Sequence, residues 1–206
     1  MCNLYRMTKS QHEIAHLFDA EDTGLASNFG EEVYPGHPGL VVAANGEGKY
    51  QVWTMSWGFP LAMTGKNGQL LKPKSVNNAR TDKLGGFFWR ASFERRRCLI
   101  PLCAWADAQG NKGAKSRTWL SLPGAETFAA AGVWRKSKEF GTCFSMVMTE
   151  STGSEAEGVH SRMPVLLNPT DYTSWVLGSP EEAKALCNPW SGAVTIEATD
   201  QLWARC

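Results

Sequence analysis

Long apolar runs are missing from this sequence. No stretch of about 18 consecutive apolar residues occurs, so no membrane-spanning helix and no membrane partner are expected. The N-terminus has no basic segment followed by an apolar core, so no secretory signal is expected and a cytoplasmic location is. Charge of one sign is missing too. With 21 Lys and Arg against 20 Asp and Glu the formal net charge is +1, so any nucleic-acid binding has to rest on a local basic patch. Cys-x-x-Cys pairs are absent. The six cysteines, Cys2, Cys98, Cys103, Cys143, Cys187 and Cys206, are far apart, which suggests free thiols in a reducing compartment rather than a disulfide framework or a zinc site. Repeats, low-complexity tracts and composition shifts are also lacking, so the 206 residues are expected to form one domain, 1–206, and a monomer.

What is present is a set of short apolar runs. Ser10-Gln11-His12-Glu13 reads as a capping box opening a helix that buries Ile14, Leu17 and Phe18 and ends near Ala20. Residues 21–37 read as loop. Leu40 to Ala44 and Tyr50 to Ser56 read as antiparallel strands around the turn Asn45-Gly46-Glu47-Gly48. Residues 61–76, with Gly, Lys and Pro, read as a loop, and Thr81 to Phe93 as a short helix weakened by Gly85-Gly86. From Cys98 the runs 98–100, 103–106, 117–121, 128–133 and 143–149 read as strands. Helices are expected at 171–177 and after Ser179-Pro180, and a last strand at 194–197. This pattern predicts one α+β domain with a curved, barrel-like antiparallel sheet core and flanking helices. The nine tryptophans are core or stacking platforms.

His12-Glu13-Ile14-Ala15-His16 fits the zinc-peptidase pattern H-E-x-x-H. On a helix, however, both histidines fall opposite Ile14, Leu17 and Phe18 and so face solvent. Glu13 is accounted for by the capping box, and Glu31 or Glu32 would have to serve as third ligand. No metal and no cofactor are expected.

Cys2 offers different chemistry. Once Met1 is removed, Cys2 presents an α-amine and a thiol on adjacent carbons, with ordinary pKa values of about 7.7–8.0 and about 8.5. An aldehyde would form a Schiff base with the amine, and the thiol would close a thiazolidine ring. Three further strings bear on this. Asn78-Ala79-Arg80 places an amide and a guanidinium on one side of an extended segment, suited to a phosphodiester. Arg95-Arg96-Arg97 is the densest basic run, and Asp107 is an acid in an otherwise apolar strand. His160 and Arg162 share a face, and histidine is the natural proton shuttle near neutrality.

In this order and spacing, Cys2, Trp57-Gly58-Phe59-Pro60, Asn78-Ala79-Arg80, Arg96-Arg97-Cys98-Leu99-Ile100-Pro101 and His160-Ser161-Arg162-Met163-Pro164 resemble the SRAP family, the SOS-response-associated peptidases or abasic-site-processing proteins. The resemblance runs over nearly the whole chain. It implies a single α+β domain with a DNA channel that recognises abasic sites in single-stranded DNA. It implies self-cleavage of Met1 and a covalent DNA–protein crosslink through Cys2, in a protein associated with the nucleoid when bound. Asn78 matches the asparagine that holds the cysteine and the sugar. His160 matches the histidine beside the sugar that serves ring opening and crosslink reversal, and Arg80 and Arg162 match phosphate-binding positions. Trp57 would support the channel or stack on a base. Two departures stand out. Asp107 replaces the family's usual glutamate, shortening the acid that binds the α-amine by one methylene, roughly 1.5 Å. The opening also lacks the usual Gly-Arg after the cysteine, which leaves Arg6 as the candidate for that positive charge. The competing readings are a non-covalent module for single-stranded or abasic DNA, a thiol peptidase acting in trans and, last, a zinc peptidase.

Overall fold

A computed structural model describes residues 2–24 and 30–203. Met1, and with it the expected self-cleavage, lies outside the described residues, as does Cys206. The chain runs through β1 (Leu4–Arg6), α1 (Gln11–Leu17), β2 (Glu21–Asp22) and β3 (Glu32–Val33) to a hairpin of β4 (Pro38–Ala44) and β5 (Tyr50–Trp57). A second hairpin, β6 (Phe59–Thr64) and β7 (Leu70–Val76), leads to β8 (Asn78–Arg80) and α2 (Arg90–Arg95). Then come β9 (Arg97–Leu102), β10 (Ala104–Gln109), β11 (Ser116–Ser121), β12 (Phe128–Ser137) and β13 (Gly141–Glu150). β14 (Arg162–Pro164), β15 (Leu166–Leu167), α3 (Tyr172–Val176), α4 (Pro180–Ala185) and β16 (Thr195–Leu202) follow.

Five strands close on themselves. β13 pairs with β12, β12 with β9, β9 with β4 and β4 with β5, all antiparallel. β5 then returns to β13 through a parallel pairing, Ser56 opposite Cys143 and Trp57 opposite Phe144. The predicted barrel is therefore present, but a parallel seam closes it. β9 is buried throughout, from Arg97 to Leu102, because neighbouring elements cover the outside there, whereas β5 alternates buried and more open residues. A five-stranded barrel has a narrow interior, and β12 suits it with Ala129-Ala130-Ala131-Gly132. A Cβ on Gly132 would lie 2.8 Å from Cys98 Sγ.

A second sheet, ordered β16-β11-β10-β1-β3, packs on the barrel. Its faces follow the period of two. Tyr5 and Trp105 join the barrel core, whereas Leu4, Ala104, Ala106 and Trp119 form a small cluster on the other side.

Several local expectations change, and the stretch 21–37 read as loop holds the short strands β2 and β3. Residues 61–76 form the β6–β7 ribbon rather than a loop. It pairs only with itself, so Leu61, Met63, Leu70 and Leu71 stay exposed and no period-two contrast marks it. Pro60 and Pro73 are tolerated because a two-stranded ribbon leaves one edge of each strand free. The helix expected over 81–93 begins only at Arg90, after a single 3-10 turn (Thr81–Lys83) and Gly85-Gly86. α1 stops at Leu17, and Leu17 is exposed while Ile14, Ala15 and Phe18 are buried. Asp19 takes a left-handed conformation (φ 48°) and lets Ala20 N donate to Ala15 O, a Schellman-type ending. The capping box of Ser10 and Glu13 is formed as read.

Trp57 is fully buried beneath the seam, edge-on to Tyr5 at 5.0 Å and stacked on Phe144 at 6.3 Å. Trp57→Ala is expected to cost about 3–5 kcal/mol, whereas the partly exposed Trp53→Ala should change stability by about 0.5 kcal/mol or less. Urea denaturation of both variants checks this.

Candidate active site around Cys2

The N-terminal segment enters the site as an extension of β1. Leu4 lies opposite Ala106 on β10 and Tyr5 opposite Trp105, so the same register carried one step further brings Asn3 beside Asp107. Cys2 is completely buried. Its carbonyl accepts two amide hydrogen bonds, from Asn78 Nδ2 at 2.7 Å and from Asn77 Nδ2 at 3.1 Å. Asn77 Nδ2 also donates to Asn3 Oδ1 at 2.9 Å. These asparagines are firmly seated. Trp57 Nε1 and the Met146 amide both donate to Asn77 O, at 2.9 and 3.0 Å, and Ser145 Oγ donates to Val76 O at 2.7 Å. Asn78 Oδ1 is buried with no hydrogen-bond partner among the described residues.

Gly58 explains the Trp-Gly-Phe-Pro string. Its φ of 129° suits glycine, its amide donates to Phe144 O at 2.7 Å, and a Cβ there would lie 1.8 Å from Ser75 Oγ. The bend it allows turns β5 into β6 and brings the chain back through β7 to Asn77 and Asn78.

Asp107 is 3% exposed on the barrel-facing side of β10. Burial raises its carboxyl pKa, and the nearby His160 imidazole acts against that rise. Burial also raises the Cys2 thiol, followed by the negative charge of Asp107, while backbone hydrogen bonding at Leu4 and Ala106 pulls the other way. The thiol is therefore protonated at rest and donates to Leu4 O at 3.3 Å. His160 is fixed on the loop before β14. Its Nδ1 accepts from the Arg162 amide at 3.0 Å, so the neutral ring carries its proton on Nε2, and its carbonyl accepts from Ser151 Oγ at 2.5 Å. Gln109 ties this loop to β10, donating to Val159 O at 3.2 Å while its Oε1 accepts from Thr118 Oγ1 at 3.2 Å. Cys2, Asn78, Asp107 and His160 thus surround one place.

The candidate DNA-binding residues divide. Arg80 on β8 and Arg162 on β14 flank the end of β13, but each already holds an acid. Arg80 grips Asp82 with two bonds of 2.7 and 2.9 Å, and Arg162 holds Glu150 at 2.7 Å. Trp57 presents no face to a base and supports Asn77 from below. Arg6 is not at the site. It alternates with Tyr5, so it projects from the opposite face of the second sheet, over the Trp119 ring at 4.1 Å and 3.5 Å from Glu32. It therefore does not supply the positive charge beside Cys2. Within the basic triplet, Arg97 is buried rather than solvated. It donates to carbonyls of Phe93, Glu94, Trp175 and Gly178, closing the ends of α2 and α3. Of the H-E-x-x-H residues, His12 and His16 face solvent, Glu13 caps α1, and Glu32 is engaged by Arg117 and Tyr34. No group of three His, Cys, Asp or Glu side chains is placed to hold a metal among the described residues.

Sequence reasoning missed Asn3, Gln109, Thr118 and Ser151 as supports of the site. Short polar residues carry no pattern, and their partners lie from nine to more than seventy positions away.

Over residues 1–201 the sequence matches the family model described as SOS response associated peptidase (SRAP). The chain belongs to the SRAP family. Among curated proteins nothing matches it. A solved structure of a Bordetella bronchiseptica protein is similar, with a TM-score of 0.77 and 17% identity over 96% of this chain and 99% of that one. A Bacteroides thetaiotaomicron protein gives 0.74 and 15% identity over 96% and 91%. A phage-related protein of B. bronchiseptica gives 0.71 and 18% over 97% and 95%. At such identities the likeness is one of fold. In this chain the second residue is buried beside an acid, an amide and an imidazole.

The buried acid should leave a trace in stability. The folded chain retains on Asp107 a proton that the unfolded chain releases near about pH 3.9. Between that value and the raised one the folded state binds more protons, so stability falls as pH rises. Asp107→Asn removes this titration, and its urea midpoint should drop less than that of wild type between about pH 4 and about pH 7. Parallel drops would contradict the assignment.

Proposed function

We propose that this SRAP protein captures abasic sites in single-stranded DNA by forming a thiazolidine through Cys2. The observation that carries the reading is the meeting of Asn78, Asp107 and His160 around Cys2, whose α-amine Met1 removal would free. Hydrolysis of the Met1–Cys2 bond consumes one water and yields the 1,2-aminothiol. The amine adds to the aldehyde carbon of the ring-opened sugar, and loss of water gives an imine. The thiol then adds to the imine carbon, its proton passing to the nitrogen. The sum is aldehyde plus aminothiol giving thiazolidine plus water.

The chain's own groups suit each step. Asp107 holds its proton more tightly than an ordinary aspartate, so it is fitted to accept a proton from the ammonium and return it to the departing hydroxyl. The raised thiol pKa favours attack by the amine first, with the thiol reacting as a base removes its proton. Asn78 Nδ2 fixes the Cys2 carbonyl, and its unpartnered Oδ1 is an acceptor for a sugar hydroxyl. His160 Nε2–H serves ring opening and, through the same imine, crosslink reversal or lyase cleavage. Arg80 and Arg162 receive the flanking phosphates. The protein acts in this way as a monomer in the cytoplasm.

Intact-mass analysis tests the reading. Met1-free protein incubated with an abasic single-stranded oligonucleotide should gain the mass of the oligonucleotide less one water. Cys2→Ser should leave only an imine that needs borohydride trapping. A Met1-free sample giving no adduct would favour a non-covalent DNA-binding module instead. Asp107→Asn is expected to slow Met1 loss or imine formation about a hundredfold. Asp107→Glu, which restores the longer acid, should retain both steps. Unchanged rates in Asp107→Asn would remove that residue from the mechanism.

A further inference from the structure

Three cations converge on a single carboxylate beside the site. Asp82, in the turn Thr81–Lys83, receives Arg80 Nη2 on Oδ2 at 2.7 Å and Arg80 Nε on Oδ1 at 2.9 Å. Lys83 Nζ lies 4.0 Å from Oδ2 and Arg162 Nη1 4.0 Å from Oδ1. The topology builds this convergence. β8 and β14 lie on opposite sides of β13, with Arg80 opposite Met148 and Arg162 opposite Glu150. Arg80 uses on Asp82 the forked, two-bond geometry with which guanidinium groups hold phosphate. It lies two residues from Asn78 on the same side of β8, about 7 Å along the strand. A nucleic-acid strand seated at Cys2 would therefore carry its adjoining backbone to this point. The carboxylate is half exposed, at 50%, and so is within reach of a competing anion.

We propose that Arg80, Lys83 and Arg162 form one phosphodiester seat next to Cys2, and that Asp82 occupies it as an internal anion until a strand displaces it. This rests on the nucleic-acid reading given above. The consequence is selectivity. An intact strand must compete with Asp82 in a bimolecular encounter and gains little. A strand already held at Cys2 presents its phosphate at high effective concentration and displaces the carboxylate. Asp82 thereby lowers affinity for undamaged DNA while leaving captured lesions firmly held.

The test uses full-length protein and a labelled, intact oligodeoxythymidine, with affinity measured across a salt series. Asp82→Asn should tighten binding about two- to fivefold, the scale of an exposed ion pair. It should also steepen the dependence of log K on log salt by about 0.7, the value for one further cation meeting a single strand. Arg80→Ala and Lys83→Ala should each weaken binding. In the Arg80→Ala background the gain from Asp82→Asn should shrink. Unchanged affinity and slope in Asp82→Asn would overturn the proposal, as would an equal gain in both backgrounds, which marks only a general charge effect. Asp82→Ser serves as a second variant, with thermal melting to show that both fold. Crosslinking of an abasic strand is read in parallel. Crosslinking without the Asp82 effect removes the seat and leaves the covalent reading standing. The Asp82 effect without crosslinking does the reverse.

Discussion

Two carboxamides on the Cys2 carbonyl are the contact on which the site depends, because Cys2 lies before Leu4, where the pairing of β1 begins, and end segments ordinarily fray. Asn77 and Asn78 supply the restraint that a preceding strand would give elsewhere. They can do so because Trp57, Ser145 and Met146 hold residues 76 and 77 against the barrel. On the other side Tyr5 is buried among barrel residues, so β1 is anchored by packing as well as by its pairing with β10 and β3. The barrel seam, the Gly58 bend and the asparagine pair therefore act as one support. The capture proposed for Cys2 would need that support in place before any ligand arrives.

The same place is costly for folding. A carboxyl group, a thiol and an unpartnered amide oxygen are buried close to one another. Each would be better solvated in the unfolded chain, and each is what the proposed amine capture and ring closure would use. The large barrel core offsets this, and the supports around His160 are backbone contacts rather than further charges. Where charge does gather, around Asp82, it is near the surface and paired internally.

The fold class and most strands were legible in the sequence because strands such as β4, β9 and β13, buried on both faces, read as plain apolar runs. The β6–β7 ribbon was not, since its apolar residues face water and its prolines resemble loop punctuation. Among site residues, Cys2, Asn78, Asp107 and His160 stood out by residue type and by family spacing. Trp57 and Arg6 could not be placed in that way. Trp57 belongs to the core, and a shift of one residue along β1 puts Arg6 on the far face. Arg97, part of the densest basic run, closes the end of α2 and that of α3, and the α3 carbonyls it binds are about 80 residues away.

By itself the sequence determined which groups are available: an aminothiol once Met1 is lost, an amide, a shortened acid, an imidazole and a local surplus of arginine. It also determined the local structure that depends on near neighbours, such as the capping boxes of Ser10 and Ser179. Only the tertiary structure decided that four of these groups meet, which arginines are near them, and that Asp82 and Glu150 already hold those arginines. The reason is physical. Capping and periodicity act over a few residues, whereas the pKa values of Asp107 and Cys2 and the pairing of Arg80 and Arg162 arise from burial and charge brought together across the chain by the closing of the barrel.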